Sequence, residues 1–180
     1  MIYPIITFGK ENLRRASQAV PALTEDIRRL ATDMIETMHA ANGVGLAAEQ
    51  IGREEAVCVI DVPPDAEKPE CRPGNAAIPM PLVLINPKIL ATEGSQRDDE
   101  GCLSFPDINV AITRPNQVTV AFTALDASRQ TITVRGLLAR AVMHETDHLN
   151  GVLLVDRMSQ VQKLAVAGKL RRLKQEAKPA

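Results

Sequence analysis

The hydrophobic pattern of this chain changes its period twice, and the change limits the folds open to it. Apolar residues recur at helical spacing after Thr24 and again at residues 137–149. Between these segments, short runs rich in β-branched residues are separated by Pro, Gly, Asn and Asp, which is typical of strands joined by turns. Strands in the middle with helices at both ends predict an α+β fold.

Four helices and five strands follow from this pattern. The first long helix is expected to begin after Thr24, an N-cap residue, and to end at Asn42-Gly43. A short helix is predicted at residues 11–19, a third at 137–149 and a last one at 159–176. The predicted strands are residues 57–60, 82–85, 110–113, 118–125 and 130–134.

Residues 65–81 follow neither period and are rich in proline. Proline fixes φ and lacks a backbone N–H, so it interrupts both helices and sheet ladders. We therefore predict a surface loop here. The prolines of this stretch and the two just before it are Pro63, Pro64, Pro69, Pro73, Pro79 and Pro81.

Composition and charge argue against several classes of function. Aromatic residues make up 2% of the chain, which disfavours a base-stacking surface, and a formal net charge of −1 disfavours general DNA or RNA binding. Three cysteines make a poor disulfide framework and suit a reducing compartment. The N-terminus lacks the pattern of a signal peptide, and no stretch approaches a membrane span. We expect a cytoplasmic protein that binds neither DNA nor membranes.

The strongest local signal is His144-Glu145-Thr146-Asp147-His148. Residues four apart lie on one face of a helix, so His144 and His148 can bind the same metal ion. Glu145, beside the first ligand, can then act as a general base on a metal-bound water. Two ordinary surface histidines are the alternative. The chain has only three histidines, and two of them fall at this spacing, which favours a metal site.

A catalytic metal site usually has three protein ligands and one open position. Residues 149–154, directly after the second histidine, include no ligand type, so the third ligand must come from elsewhere. Cys102 is the natural candidate, although a single cysteine is more often a small buried apolar residue.

A third segment, residues 43–50, is Gly-Val-Gly-Leu-Ala-Ala-Glu-Gln. Two glycines two apart permit close backbone approach or unusual dihedral angles. A helix end leading into a turn is the simpler interpretation. A phosphate-binding loop is a weak one, because no Lys or Ser/Thr follows as that motif requires.

Residues 43–50, 100–104 and 144–148 resemble, in order and spacing, the three signature motifs of the peptide deformylase family. The similarity continues at Arg114 and around the third motif, while Glu49 and Met143 stand where family members often carry other residues. The resemblance implies a single α+β catalytic domain over residues 1–180. In it, short antiparallel β-sheets pack around a central metal-binding helix, with a basic C-terminal helix at 158–180.

The resemblance also implies a metal-dependent hydrolase that removes the formyl group from formylmethionyl nascent peptides and releases formate. Cys102, His144 and His148 would hold one divalent ion with water, the nucleophile, in the fourth position. Family members typically use Fe(II), and such a ligand set also accepts zinc, nickel or cobalt. Glu145 would take the proton of the water and later give one to the departing amine.

The remaining roles implied by the resemblance concern the oxyanion and the substrate. The side-chain amide of Gln50 and the backbone N–H of Leu103 would stabilise the oxyanion. The backbone around Gly45 and Gly101 would hydrogen-bond an extended peptide, added like a strand. Residues expected to line the methionine pocket are Val44, Leu137, Ala141 and the ring of His144.

Two charged or polar residues of the helices have structural interpretations. We expect Asp147 to make a buried pair with an arginine, most simply Arg114, that orients the metal-binding helix. A solvated helix charge is the alternative. His39 is expected to be structural.

Two rival functions have less support from the residues. A zincin-type metalloprotease needs a ligand downstream of His148, and residues 149–154 offer none. A non-catalytic scaffold that binds the ribosome or another protein would be favoured by loss of Glu145, Gln50 or a metal ligand, and all are present.

The end of the chain is basic and amphipathic. Apolar residues at helical spacing can pack on one side while the other displays charge. This pattern fits a solvated helix face, or a helix that docks on ribosomal RNA near the exit of the nascent chain. The cations are Lys163, Lys169, Arg171, Arg172, Lys174 and Lys178, against the single acid Glu176.

Overall fold

A computed structural model describes residues 1–177 and contains two antiparallel sheets. Its strands are β1 Gly45–Ala47, β2 Val57–Ile60, β3 Leu82–Glu93, β4 Gln96–Gly101, β5 Asn109–Arg114, β6 Gln117–Thr123 and β7 Arg129–Arg135. The larger sheet has the order β1-β2-β3-β6-β7, and β4 pairs with β5 in the smaller one. The predicted α+β class with short antiparallel sheets is confirmed.

The helices lie mainly at the two ends of the chain. They are α1 Glu25–Ala40, α2 Arg72–Asn75, α3 Gly136–Leu149, α4 Leu154–Arg157, α5 Gln160–Ala165 and α6 Ala167–Glu176. Thr24 caps α1 as predicted, since its side chain accepts a hydrogen bond from the N–H of Ile27. Within residues 1–177, no helix combines the length and the apolar character that a membrane crossing requires.

Two helix predictions were wrong. Residues 11–19 form only a short 3-10 turn, Glu11–Arg14, because the following backbone is engaged elsewhere: Gln18 makes a bridge to Glu55. The helix predicted at 159–176 is two helices that meet at Val166. This break turns the chain so that Leu173 of α6 reaches an apolar cluster.

Two strands were not predicted from the sequence. Strand β1 is only three residues long, and β4 has the sequence Gln-Arg-Asp-Asp-Glu-Gly, which is charged and lacks β-branched residues. The pairing of β4 with β5, from Gln96–Arg114 to Gly101–Asn109, fixes it as a strand despite this composition. Strand propensity depends strongly on such pairing, so composition alone did not reveal β4.

Helices α1 and α3 cover opposite faces of the larger sheet. Side chains alternate along β2, so that Val57 and Val59 pack in the cluster with α1, whereas Cys58 and Ile60 pack with α3. All four residues of β2 are therefore buried. Helix α3 is buried along almost its whole length, Leu137 and Asp147 being its exceptions. The predicted central helix is confirmed, and it carries residues 144–148 into the interior.

The proline-rich segment is more than a surface loop. It contains α2 and places Glu67 in the interior, 4% exposed. The Glu67 carboxylate accepts hydrogen bonds from the backbone N–H groups of Leu137 (2.8 Å) and Leu138 (3.0 Å), at the start of α3. The N-cap residue itself, Arg135, makes no side-chain capping bond. Glu67 thus caps the central helix from a distant part of the chain, where an acid is favoured by the helix dipole.

Glu67→Ala is expected to lower the free energy of unfolding by about 1–3 kcal/mol, because it leaves the part-buried N–H of Leu137 and the buried N–H of Leu138 without their acceptor. Denaturant unfolding of the metal-free protein measures this. Glu70→Ala, which removes an exposed acid from the same segment, is the matched control and should change the free energy by less than about 0.5 kcal/mol. Equal stability of the two variants would contradict the capping role.

Candidate active site

Three residues that could hold a metal ion come together between β4 and α3. The Sγ of Cys102 and one ring nitrogen each of His144 and His148 all lie within 4.8 Å of one another. Cys102 Sγ is 3.2 Å from His148 Nε2. One thiolate and two imidazoles, partly or fully buried, suit a divalent ion of the zinc or iron type. The described residues therefore fit the metal that the sequence predicted.

Glu100 holds the first histidine in place. Its Oε1 lies 2.7 Å from His144 Nδ1, which leaves Nε2 of that ring for the metal. The same carboxylate accepts hydrogen bonds from Arg114 Nη2 at 2.6 Å and Arg140 Nη1 at 2.7 Å. Burial alone would raise the pKa of Glu100, but the hydrogen bonds from Arg114 and His144 outweigh it and hold the pKa well below its usual range.

Neither Glu100 nor Arg140 was among the predicted site residues. The available signal was the position of Glu100 two residues before Cys102, inside the second motif. An acid next to a histidine ligand fixes the ring tautomer and orientation, so Glu100 has a role in the site without contacting the metal.

Arg114 connects the strands to the helix. Its Nη1 is 2.9 Å from Asp147 Oδ2, so the predicted pair is confirmed. Asp147 also accepts a hydrogen bond from Arg157 Nε at 2.9 Å, a partner that was not predicted. Because Arg114 contacts both Glu100 and Asp147, it joins β4 and β5 to α3 on the side of the metal ligands.

The two histidines differ in their ionisation. Burial lowers the pKa of His144, but nearby Cys102 and Glu100 outweigh it and raise the pKa well above its usual value. The pKa of His148 is lowered well below its usual value by burial and by the proximity of His144. The directions differ because His144 faces Cys102 and the Glu100 carboxylate, whereas His148 is buried beside His144.

Glu145 is a buried carboxylate with an unused oxygen. It lines a large cavity, and its Oε2 has no hydrogen-bond partner among residues 1–177. Burial is the main cause that raises its pKa, to about 7, and nearby Glu100 adds to the effect. A carboxyl group with a pKa near neutrality can both accept and release a proton, as a general acid–base catalyst must.

The two glycines of residues 43–50 allow the three motifs to meet. A Cβ at Gly43 would lie 2.7 Å from Leu103 Cδ1, and a Cβ at Gly45 would lie 2.8 Å from the Glu145 carboxyl carbon. Neither glycine is in the left-handed region, so the requirement is for space rather than for an unusual φ. Any larger residue at Gly45 would displace Glu145.

Gln50 is held in a single orientation. Its Oε1 accepts the backbone N–H of Ala47 at 2.9 Å, which fixes the amide nitrogen on the opposite side. That nitrogen donates to Ser104 Oγ at 3.0 Å and lies 3.6 Å from Cys102 Sγ. The amide nitrogen therefore lies beside Cys102, one of the three candidate metal ligands.

A cavity of about 630 Å³ opens onto these groups. Its lining includes every predicted site residue except His148, which is buried beneath it: Val44, Gly45, Gln50, Gly101, Cys102, Leu103, Leu137, Ala141, His144 and Glu145. Phe105 and Ile108 add apolar surface that was not predicted. Strand β1 is an edge strand of the larger sheet, and residues of both β1 and β4 line the cavity.

Comparison with known proteins gives one consistent result. The polypeptide deformylase family model matches residues 2–164. A peptide deformylase of Synechococcus sp. (strain RCC307) is 42% identical over 170 residues, which cover 94% of this chain and 79% of the relative.

Solved structures agree. A peptide deformylase from Legionella pneumophila is 34% identical, with a TM-score of 0.83 over 99% of this chain and 100% of that one. The peptide deformylase from Ehrlichia chaffeensis in complex with actinonin is 32% identical, with a TM-score of 0.86 over 99% of both chains. The chain belongs to the peptide deformylase family and is an enzyme of that family.

Proposed function

We propose that this enzyme hydrolyses the formamide of N-formylmethionyl peptides through the metal site of Cys102, His144 and His148. The observation that carries the proposal is the position of the ligand trio and of Glu145 at the wall of one large cavity. Family membership supports formylated nascent peptides as the substrate class. Residues 149–154 contribute no member to the candidate ligand set, whereas a zincin-type protease needs a ligand downstream of its second histidine.

The thiolate of Cys102 and the Nε2 atoms of His144 and His148 would hold one divalent ion. When bound, such an ion supplies a Lewis acid that lowers the pKa of water and polarises a carbonyl group. Because members of this family typically use Fe(II), we propose Fe(II) as the physiological ion. The mixed thiolate and imidazole set would also accept zinc, nickel or cobalt.

Glu145 would move the protons of the reaction. Its carboxylate accepts one proton from the attacking water as the new C–O bond forms at the formyl carbon. The same group then gives a proton to the amine nitrogen as the C–N bond breaks, so formate and a free N-terminus leave. The unpartnered Oε2 of Glu145 and its pKa of about 7 support this double role.

Gln50 Nε2 and the backbone N–H of Leu103 would stabilise the negative charge that develops on the formyl oxygen. The hydrogen bond from Ala47 to Gln50 Oε1 preorganises the amide, so the donor does not reorient during the reaction. A neutral amide also adds no charge next to Cys102.

Gln50→Ala is expected to retain its metal and to lose roughly 2–4 kcal/mol of transition-state stabilisation, the usual scale for one oxyanion donor. Steady-state kinetics with metal content verified measure the loss, which should fall on kcat. Ser104→Ala, which removes the other partner of the amide nitrogen, is the control and should lose less. Near-normal turnover of metal-loaded Gln50→Ala would remove Gln50 from the mechanism.

The methionine side chain would occupy the apolar part of the cavity, against Val44, Leu137, Ala141 and the His144 ring. Phe105 and Ile108 extend this surface. The peptide backbone would lie extended between Gly45 at the start of β1 and Gly101 at the end of β4, pairing with these edges as an added strand.

Formate release from a formyl-Met peptide by metal-loaded protein tests the proposed function. An acetyl-Met peptide is the matched substrate control, because its extra methyl group lies at the reacting carbon. Hydrolysis of the formyl peptide alone is expected. Internal cleavage of the peptide without formate release would instead support a protease.

We also propose that the protein works in the cytoplasm and that α5 and α6 contact the ribosome. Their cations are Lys163, Lys169, Arg171, Arg172 and Lys174, while Lys178 lies outside the described residues. The opposite side of α6 is packed, because Leu173 is buried in the apolar cluster that also contains Phe8 and Phe105. Removing the helix would therefore disturb the core, so exposed charges must be changed instead.

Lys169→Gln combined with Arg171→Gln is expected to weaken salt-sensitive co-sedimentation with ribosomes while leaving hydrolysis of a short formyl peptide intact. Two fewer phosphate contacts reduce the slope of log K against log salt by about 1.4–1.8. Lys88→Gln with Arg129→Gln, which removes two exposed cations from the sheet, is the charge-matched control. Equal salt slopes for the two double variants would show that the helices are only a solvated face.

A further inference from the structure

Glu49 lies in the interior with one carboxylate oxygen unpaired. It belongs to the 3-10 turn Ala48–Ile51 that follows β1, and it is 3% exposed. Its Oε2 accepts a long hydrogen bond, 3.4 Å, from Ser17 Oγ. Its Oε1 has no hydrogen-bond partner among residues 1–177. A buried carboxylate oxygen without a donor is costly for folding, so this position requires an explanation.

The group that faces this oxygen is the ring of His148. His148 Nδ1 is also buried without a hydrogen-bond partner in the described chain, and it lies 3.9 Å from Glu49 Oε1. The other nitrogen of the ring, Nε2, faces Cys102 Sγ at 3.2 Å. The ring therefore has one nitrogen directed at the metal ligands and the other at a carboxylate.

The coordination chemistry of histidine indicates which of His148 Nδ1 and Glu49 Oε1 donates and which accepts. A neutral imidazole that binds a metal through Nε2 must carry its proton on Nδ1, which makes Nδ1 a donor. The 3.9 Å between His148 Nδ1 and Glu49 Oε1 is longer than a hydrogen bond. It is also less than the distance of about 4.5 Å needed for a water between two hydrogen bonds of about 2.8 Å. A movement of about 1 Å by the Glu49 side chain would close the gap and pair both orphaned atoms.

The other histidine ligand already shows this arrangement. His144 Nδ1 lies 2.7 Å from Glu100 Oε1, with Nε2 left for the metal. Glu100 and Glu49 come from different segments, the end of β4 and the turn after β1, and they approach the two histidines separately.

We propose that Glu49 is a positioning residue for His148, its carboxylate accepting the Nδ1–H of that ring in the metal-loaded protein. This inference rests on the proposed metal site of Cys102, His144 and His148. Both histidine ligands then carry a carboxylate partner, which orients the rings and strengthens metal binding. The alternative is a carboxylate that is merely hydrated, since Glu49 also lines a small cleft with Ser17 and Arg53.

Zinc affinity separates the two explanations. Metal-free protein is titrated with Zn(II) against a chelating indicator, for the native chain and for Glu49→Leu, Glu49→Gln and Glu145→Gln. Glu49→Leu should raise the Kd for zinc by about 10–100-fold, the usual effect of losing such a partner. Glu49→Gln keeps an acceptor oxygen and should lose clearly less. Glu145→Gln, the control that neutralises a buried carboxylate of the same site, should stay within about threefold, because neither histidine ring is hydrogen-bonded to Glu145 in the described chain.

The NMR chemical shifts of the histidine ring N–H protons in the zinc-loaded protein distinguish a hydrogen bond from a role in packing alone. The His148 Nδ1–H proton should be observed in the native protein and shift in Glu49→Gln, while the His144 proton bonded to Glu100 keeps its position. This comparison decides the question even if Glu49→Leu does not fold. An unmoved His148 resonance in Glu49→Gln, or equal zinc affinity of native and Glu49→Leu protein, would overturn the inference. Failure of the native chain to bind zinc would instead refute the proposed metal site.

Discussion

Glu145→Gln is expected to bind metal as the native enzyme does and to hydrolyse a formyl-Met peptide about 10²–10⁴-fold more slowly. The amide has nearly the same shape as the carboxylate, so the approach of Glu145 to Gly45 is kept. It cannot accept the proton of the attacking water, however, and it cannot deliver one to the leaving amine. Elemental analysis of the purified variant, together with formate release, measures both halves of this prediction.

Glu145→Asp is the matched control, because it keeps a carboxylate but withdraws it by one methylene group. Partial activity in Glu145→Asp with almost none in Glu145→Gln would assign the effect to proton transfer. If metal-loaded Glu145→Gln turned over at a rate close to native, a different group would have to be the base.

Cys102→Ala is expected to lose both the metal and the activity. Two histidines without the thiolate leave an incomplete ligand set, and the thiolate is the only anionic member of the proposed ligand trio. Native protein should hold about one divalent ion per chain, with one sulfur and two nitrogen ligands by X-ray absorption. Because metal binds only the folded site, the native protein should also be more heat-stable loaded than stripped, whereas Cys102→Ala should show no such difference.

Cys71→Ala is the matched control for this experiment. Cys71 is a buried cysteine in the segment next to α2, and it is not part of the ligand trio. The Cys71→Ala variant should retain the metal and most of the activity. Unchanged metal content in Cys102→Ala would remove Cys102 from the site and leave the third ligand unassigned.

The sequence predicted those features whose cause lies within a short stretch of chain. Helical spacing placed His144 and His148 on one face of α3, because 3.6 residues per turn bring positions four apart together in any helix. The Thr24 cap and the β-branched runs at β2 and β6 were likewise visible locally. The order and spacing of the three motifs indicated the family, which the comparisons then confirmed.

Other features depended on partners that no local period encodes. Strand β4 exists because β5 pairs with it, despite four charged residues in its sequence. The cap of α3 comes from Glu67, about 70 positions earlier in the chain, because the proline-rich segment folds back onto the helix. The C-terminal segment forms two helices, α5 and α6, because Leu173 packs in an apolar cluster; helix propensity alone did not indicate the break.

The site shows the same division. The residues predicted it by type, since a thiolate, two imidazoles and a nearby carboxylate are the groups that metal-dependent hydrolysis needs. Only the tertiary structure decided their surroundings: Cys102 and His148 are 46 positions apart, and they meet because β4 is anchored to α3 through Arg114. The same packing encloses Glu100 and Glu49 behind the two histidines. The burial and orientation of these charged groups depend on all the elements that pack over them. The local sequence therefore determined which chemical groups are present, and the tertiary structure determined how they are arranged.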